Sequence, residues 1–204
     1  MSKTTKAILG VVGVLALIVV AIFWNFRSTY NRMITLDESV NASWAQVENQ
    51  YQRRLDLVPN LVETVRGFAA QEREVLTQVA EARSRAGGVM QIDESVLEDP
   101  QAFERFQQAQ SELGSALQRL LAVQENYPEL RSNQNFLALQ DQLEGTENRI
   151  AVARQRFNES AQGYNTYIRQ FPRVLIANAI GFDQREYFQA AGGADRAPEV
   201  DFGS

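Results

Sequence analysis

Eighteen consecutive residues, Ala7 to Trp24, carry no charged or strongly polar side chain, and nothing else in the chain restricts its folding more. As a helix they rise about 27 Å at ~1.5 Å per residue, close to the ~30 Å hydrocarbon core of a bilayer. A cleaved secretory signal is one alternative. Its apolar core would run about 7–15 residues to a small-residue cleavage site, whereas this stretch closes on Ile22, Phe23 and Trp24. A buried core helix is another, but it seldom stays apolar on every face over such a length. The chain is therefore expected to contact a lipid bilayer through residues 7–24, behind a short flank at 1–6.

Lys3 and Lys6 precede the apolar stretch and Arg27 and Arg32 follow it, so the count of positive charges is nearly balanced. A short basic start ahead of an apolar core is how a signal anchor begins, which favours the N-terminus inside and the remainder outside. Beyond Trp24 there are 18 Arg against 25 Asp and Glu, a net charge of −7. Such an acidic body excludes nucleic acid as an expected partner, because neutralisation of phosphates dominates that affinity. The chain has no Cys and no His. Thiolate nucleophiles, Ser-His-Asp triads, zinc fingers and His-ligated haem are thereby removed. No cofactor and no metal is expected.

Apolar residues recur at spacings of three and four throughout, which predicts an all-α fold. Leu36, Val40, Trp44, Val47, Tyr51, Leu55 and Val58 form the first stripe. No Gly or Pro lies between Trp24 and Val58, so the membrane helix is free to run on into it. Pro59 marks either a kink or a tight turn. A second stripe, Leu61 to Ala82, leads to a stop at Gly87-Gly88, and 89–98 reads as a loop. Asp99-Pro100 supplies an N-cap with proline at the first helical position. The third stripe runs from Phe103 to Gln124 and ends at Tyr127-Pro128; the longest runs from Phe136 to Ile168 and ends at Phe171-Pro172. Four helices of this kind suit an antiparallel up-and-down four-helix bundle over residues 25–190. The apolar run 174–182 can cap that bundle or touch a surface, and 191–204 is an acidic, small-residue tail.

Two charged clusters are candidates for interaction. In LEGTENRIAVARQRFN at 143–158, Glu144 and Glu147 share a face near Arg154. Paired carboxylates can do acid/base work or hold two metal ions, but the helical di-metal motif needs histidine; an ion-pair network is the plainer reading. In RRLDLVPNLVETV at 53–65, Arg53, Arg54, Asn60 and Glu63 are offered to a partner, unless the arginines simply snorkel over a proline turn. Trp44, Tyr51 and Phe157, at helical spacing on apolar faces, read as core.

These two segments, with LLAVQENYPELRSNQNF at 120–136, Tyr164-Asn165 and APEVDF at 197–202, make the chain resemble the LemA family of bacterial membrane proteins with one N-terminal span and a helical body. The resemblance implies an antiparallel four-helix bundle anchored at its N-terminus, a turn at Pro59, and a place in the bacterial inner membrane. It implies no catalytic residues. The expected function is a membrane-anchored scaffold or adaptor, not an enzyme, that assembles with copies of itself or with a membrane protein partner. A membrane-tethered sensor or ligand-binding module is the alternative, weakened by the six residues left on the far side of the bilayer to receive a signal.

Overall fold

The computed structural model describes residues 3–90 and 94–189. The tail expected at 191–204, with its APEVDF stretch, lies outside them, as do 91–93 of the expected 89–98 loop. The described residues are helical, without a strand, and the first helix is the dominant element. This α1, Lys3–Phe68, is unbroken over 66 residues, a rise of about 99 Å.

From Leu9 to Ser28 every residue of α1 is exposed, including Leu17 at 71% and Phe23 at 63%. An apolar surface of that extent, with no described residue packed on it, is out of place in water, and the segment is long and apolar enough to cross a bilayer. Burial begins at Thr29 and Met33 and then follows the predicted stripe, Val40, Trp44, Val47, Tyr51, Leu55 and Val58.

The turn expected at Pro59 is not there. A proline in a helix removes the N–H that would bond the carbonyl four residues back, here Leu55. That carbonyl instead accepts a hydrogen bond from Arg83 Nε of α2 (Arg73–Met90) at 3.1 Å, and the proline itself is on the exposed side. The orphaned acceptor is thus satisfied from a neighbouring helix and α1 continues. Restoring the N–H with Pro59→Ala is expected to make Arg83 redundant at this carbonyl. Arg83→Ala should then cost about 1 kcal/mol more in the proline background than in the alanine one, a difference that a double-mutant cycle in urea measures.

The first turn falls instead at 69–72, where Ala69 N–H bonds Val65 O and Glu72 N–H bonds Ala69 O. Helix α2 then runs through Gly87 and Gly88 to Met90, two residues past the expected stop. A 3₁₀ turn, Glu94–Leu97, leads to α3, Pro100–Ala122, capped as predicted: Asp99 Oδ1 accepts from Gln101 N–H and Pro100 occupies the first turn. The 3₁₀ turn Val123–Asn126 and the short α4, Pro128–Arg131, form the next connection. Asn133 caps α5, Gln134–Arg169, through Phe136 N–H, and α6 is Arg173–Ile180.

Contacts set the direction of each pair. Arg54 meets Glu147 and Trp44 meets Phe157, so α5 runs back down α1. Arg85 meets Glu112 and Glu72, just ahead of α2, meets Tyr127, just past α3, so α3 runs opposite to α2. The buried residues fall into two clusters along the long axis. The one distant from the apolar segment unites Leu55–Val65 of α1 with α2, the second half of α3 and the start of α5, through Leu61, Val79, Leu113, Leu120 and Phe136. The nearer one unites Met33–Tyr51 with Phe103, Phe106, Ile150, Phe157 and Tyr164. At the distant end Tyr127 Oη donates to Glu72 Oε1 at 2.9 Å, joining the two connections there.

Candidate functional site

Where the two clusters meet, the chain buries a charge. Arg54 is 3% exposed. Its Nη1 donates to Glu147 Oε1 at 3.1 Å and Oε2 at 3.4 Å, and its Nη2 to the Gln110 carbonyl at 3.0 Å and to Gln110 Oε1. The guanidinium also lies 4.9 Å over the Tyr51 ring. One side chain of α1 therefore ties α3 and α5 together, a task suited to the planar fork of arginine. Beside it a groove of about 920 Å³ opens, lined by Tyr51 and Arg54 of α1, Gln110 and Gly114 of α3, and Glu147 and Arg154 of α5. Burial pushes the Tyr51 phenol above its ordinary value, opposed by the nearby charges of Arg154 and Arg54.

The predicted residues divide accordingly. Arg54, Glu147 and Arg154 converge on the groove, whereas Arg53, Asn60, Glu63 and Glu144 are exposed elsewhere on α1 and α5. Glu63 pairs with Arg66 at 2.6 Å, and Glu144 accepts from Gln140 Nε2 at 3.0 Å. Glu144 and Glu147 thus have separate local partners. Among the described residues no group of three or more Asp and Glu is placed to hold a metal ion.

Arg154 serves a feature that periodicity does not reveal. After α6 the chain turns at Gly181, whose φ of 79° is open to glycine without strain, and residues 182–189 return along α5 as a strap. Asn165 Oδ1 accepts from Arg185 N–H at 2.9 Å while its Nδ2 donates to Arg185 O at 2.8 Å. Asn158 repeats the pattern with Phe188, 2.9 Å each way. Seven helical residues rise about 10.5 Å and three extended residues span about 10 Å, so two asparagines two turns apart match backbone groups three residues apart. Phe188, 6% exposed, fills the space among Trp44, Phe103, Phe106 and Phe157 with ring centroids 5.0–6.4 Å away. Arg154 closes the strap, its Nη2 2.7 Å from Gln189 O and its guanidinium 4.7 Å over the Phe188 ring. Arg185 reaches back to Asp37 at 2.9 Å and to Leu97 O at 3.1 Å.

Tyr164 lies inside this strapped region, 1% exposed. Burial first, and then the charge of Asp37, push its phenol from the ordinary 10 to about 12. The unfolded chain ionises at the lower value, so this contribution to stability is intact below pH 10 and is lost as pH rises toward 12. Tyr164→Phe is expected to flatten the decline of urea-unfolding stability across that window, and to remove one group from the late-titrating part of the tyrosinate absorbance, to which Tyr51 also contributes.

The sequence profile of the LemA family matches residues 43–202, most of the chain and nearly all of the body just described. The chain belongs to the LemA family. This LemA-family chain is also similar to two magnetosome proteins. It is 29% identical over 190 residues to Magnetosome protein MamQ 2 of Paramagnetospirillum magneticum, covering 84% of this chain and 68% of that one. Over 184 residues it is 29% identical to Magnetosome protein MamQ of Magnetospirillum gryphiswaldense, covering 83% and 68%. Together with the bare apolar helix, these relatives support a membrane location for the LemA-family chain. Segments that carried the resemblance reappear as structural fastenings: Arg54 in the first, Tyr127 and Asn133 in the second, Asn158 at the end of the third, and Asn165.

Proposed function

We propose that the chain is a single-pass, membrane-anchored scaffold or adaptor, its N-terminus inside and its helical body outside the cell membrane. The observation that carries this reading is the unbroken α1, which joins the apolar segment to the whole length of the body without a hinge. A hinge-free mount suits a part that holds others in place. The arrangement of side chains fits the same reading, since Arg54, Glu147 and Arg154 are engaged in holding helices and strap together. Arg53, Asn60 and Glu63, on one exposed side of α1, and Glu144 on α5 remain the residues offered to copies of the chain or to a partner. The magnetosome relatives are consistent with such a role at a membrane.

Purification in nanodiscs, followed by native mass spectrometry and crosslinking in intact membranes, tests the reading. Homo-oligomers or a reproducible partner are expected; monomers alone, with no recurrent crosslink, would count decisively against it. Protease treatment of spheroplasts should cut the body if it lies outside.

A further inference from the structure

The end of the body nearest the apolar segment carries apolar side chains that no described residue covers. The pairings of Trp44 with Phe157 and Arg54 with Glu147 set the level of α5 along α1. By that register α5 ends at Arg169 beside Arg32. Helix α6 packs against both α5 and α1, Phe182 just beyond it lies 6.2 Å from Tyr30, and the chain then climbs to Arg185 beside Asp37. The corner between α5 and α6, and α6 itself, therefore turn at the lowest level of the body. Tyr30 stands about 9 Å above Trp24, just beyond the roughly 5–8 Å that the polar layer of a bilayer adds to its hydrocarbon, a gap that a phenylalanine, leucine or arginine side chain spans. On this corner Phe171 is 82% exposed and Leu175 61%, while Ala177 is buried and docks α6 against the body.

Charge at this end runs against that of the remaining body. Within 26–34 and 166–183 the arginines are Arg27, Arg32, Arg169 and Arg173, and the single acid is Asp183. The Arg173 guanidinium stacks 4.1 Å over Tyr167 and that of Arg27 5.8 Å over Trp24, so both charged groups lie on aromatic rings at this level. Apolar tips flanked by arginine and tyrosine are the composition of a surface that sits at a lipid boundary.

We propose that the α5–α6 corner is a second lipid contact, with Phe171 and Leu175 entering the polar layer of the bilayer that holds α1, and Arg169 and Arg173 at its phosphates. The contact is continuous with the apolar segment and rests on the reading of residues 7–24 as membrane-embedded. It converts a body hung from one helix into one seated at two points.

The absence of cysteine from the chain permits the test directly. Nitroxides are placed singly on the full chain at Leu17→Cys, Phe171→Cys, Leu175→Cys and Leu137→Cys, all exposed positions, in nanodiscs of phosphatidylethanolamine and phosphatidylglycerol. Collision with oxygen is compared with collision with a water-soluble nickel chelate. Positions 171 and 175 are expected to show an oxygen-to-nickel ratio clearly above that of 137 and below that of 17. If 171 and 175 match 137 while 17 reads as lipid, the second contact is refuted and the anchor stands; if 17 also reads as water, the anchor falls with it. Spin–spin broadening at 175 that disappears on dilution with unlabelled chain would show another copy covering the corner, and would overturn the proposal.

Discussion

Phe188→Ala is expected to lower the unfolding free energy of the body by about 3–5 kcal/mol, a large share of what a domain of this size possesses. The ring is almost wholly buried and touches four other aromatic side chains, which adds edge and stacking interactions to the cavity that its loss would leave. Its backbone is fixed on both sides by Asn158, so the strap cannot easily slide to refill the space. Tyr187→Ala provides the comparison, because Tyr187 is 39% exposed and its Oη accepts one side-chain hydrogen bond, from Asn165 Nδ2. It should cost about 1 kcal/mol. Urea titration of both variants in detergent, followed by circular dichroism, separates them. Equal midpoints would mean that the strap adds nothing to the core.

Removing Glu147 should damage the protein more than removing Arg54, although the two form one pair. The Arg54 side chain is 4% exposed and that of Glu147 44%. Glu147→Ala strands a buried guanidinium with only Gln110 and the Tyr51 face to stabilise it, at a cost of about 3 kcal/mol. Arg54→Met leaves a carboxylate that water can still reach, and the main loss is the partner of the buried Gln110 oxygens, roughly 1–3 kcal/mol. With both replaced, the total should fall below the sum of the single effects, since no isolated charge remains. The reverse order, Arg54→Met costing more, would show that packing of the arginine stem outweighs its charge.

The helical class of the chain and the apolar N-terminal helix were legible because both depend on local pattern. Val40 through Val58 keep the three-and-four spacing and are buried as expected, and Asp99-Pro100 begins a helix where its chemistry requires. The position of the first turn was not legible. Pro59 is a strong local breaker, but its effect was cancelled by Arg83, which lies 24 residues away in sequence. The actual turn, at 69–72, has only Gly67 and the polar run Gln71-Glu72-Arg73-Glu74 to announce it. Ala69 and Leu76 are seven apart, a spacing that an uninterrupted helix also allows, so the apolar stripe passes over the turn unchanged.

At the candidate site, sequence reasoning found Arg54, Glu147 and Arg154 as charged residues worth attention, yet not their partners. Glu147 and Arg154 are seven apart on one helix and suggested each other; the fold gives the first to Arg54 and the second to Gln189. The strap was hidden for a similar reason. Residues 182–189 have no periodicity, and the signal was instead on α5: two asparagines, Asn158 and Asn165, seven apart along the edge of the apolar stripe of Phe157, Ala161, Tyr164 and Ile168. Amides at such a spacing, one buried and one half-buried, need backbone partners, and a returning chain is one of the few things that supplies them.

A continuous α1 fixes more than height. Successive residues of a helix are turned by about 100° from one another, so the bearing of every exposed residue of the body around the membrane normal is set by the bearing of the apolar segment below it. Rotate residues 9–28 and Arg53, Asn60 and Glu63 must swing by the same angle. Two such chains that meet through their apolar segments would therefore arrive with their outer faces already aimed, at bearings set by the contact between those segments alone.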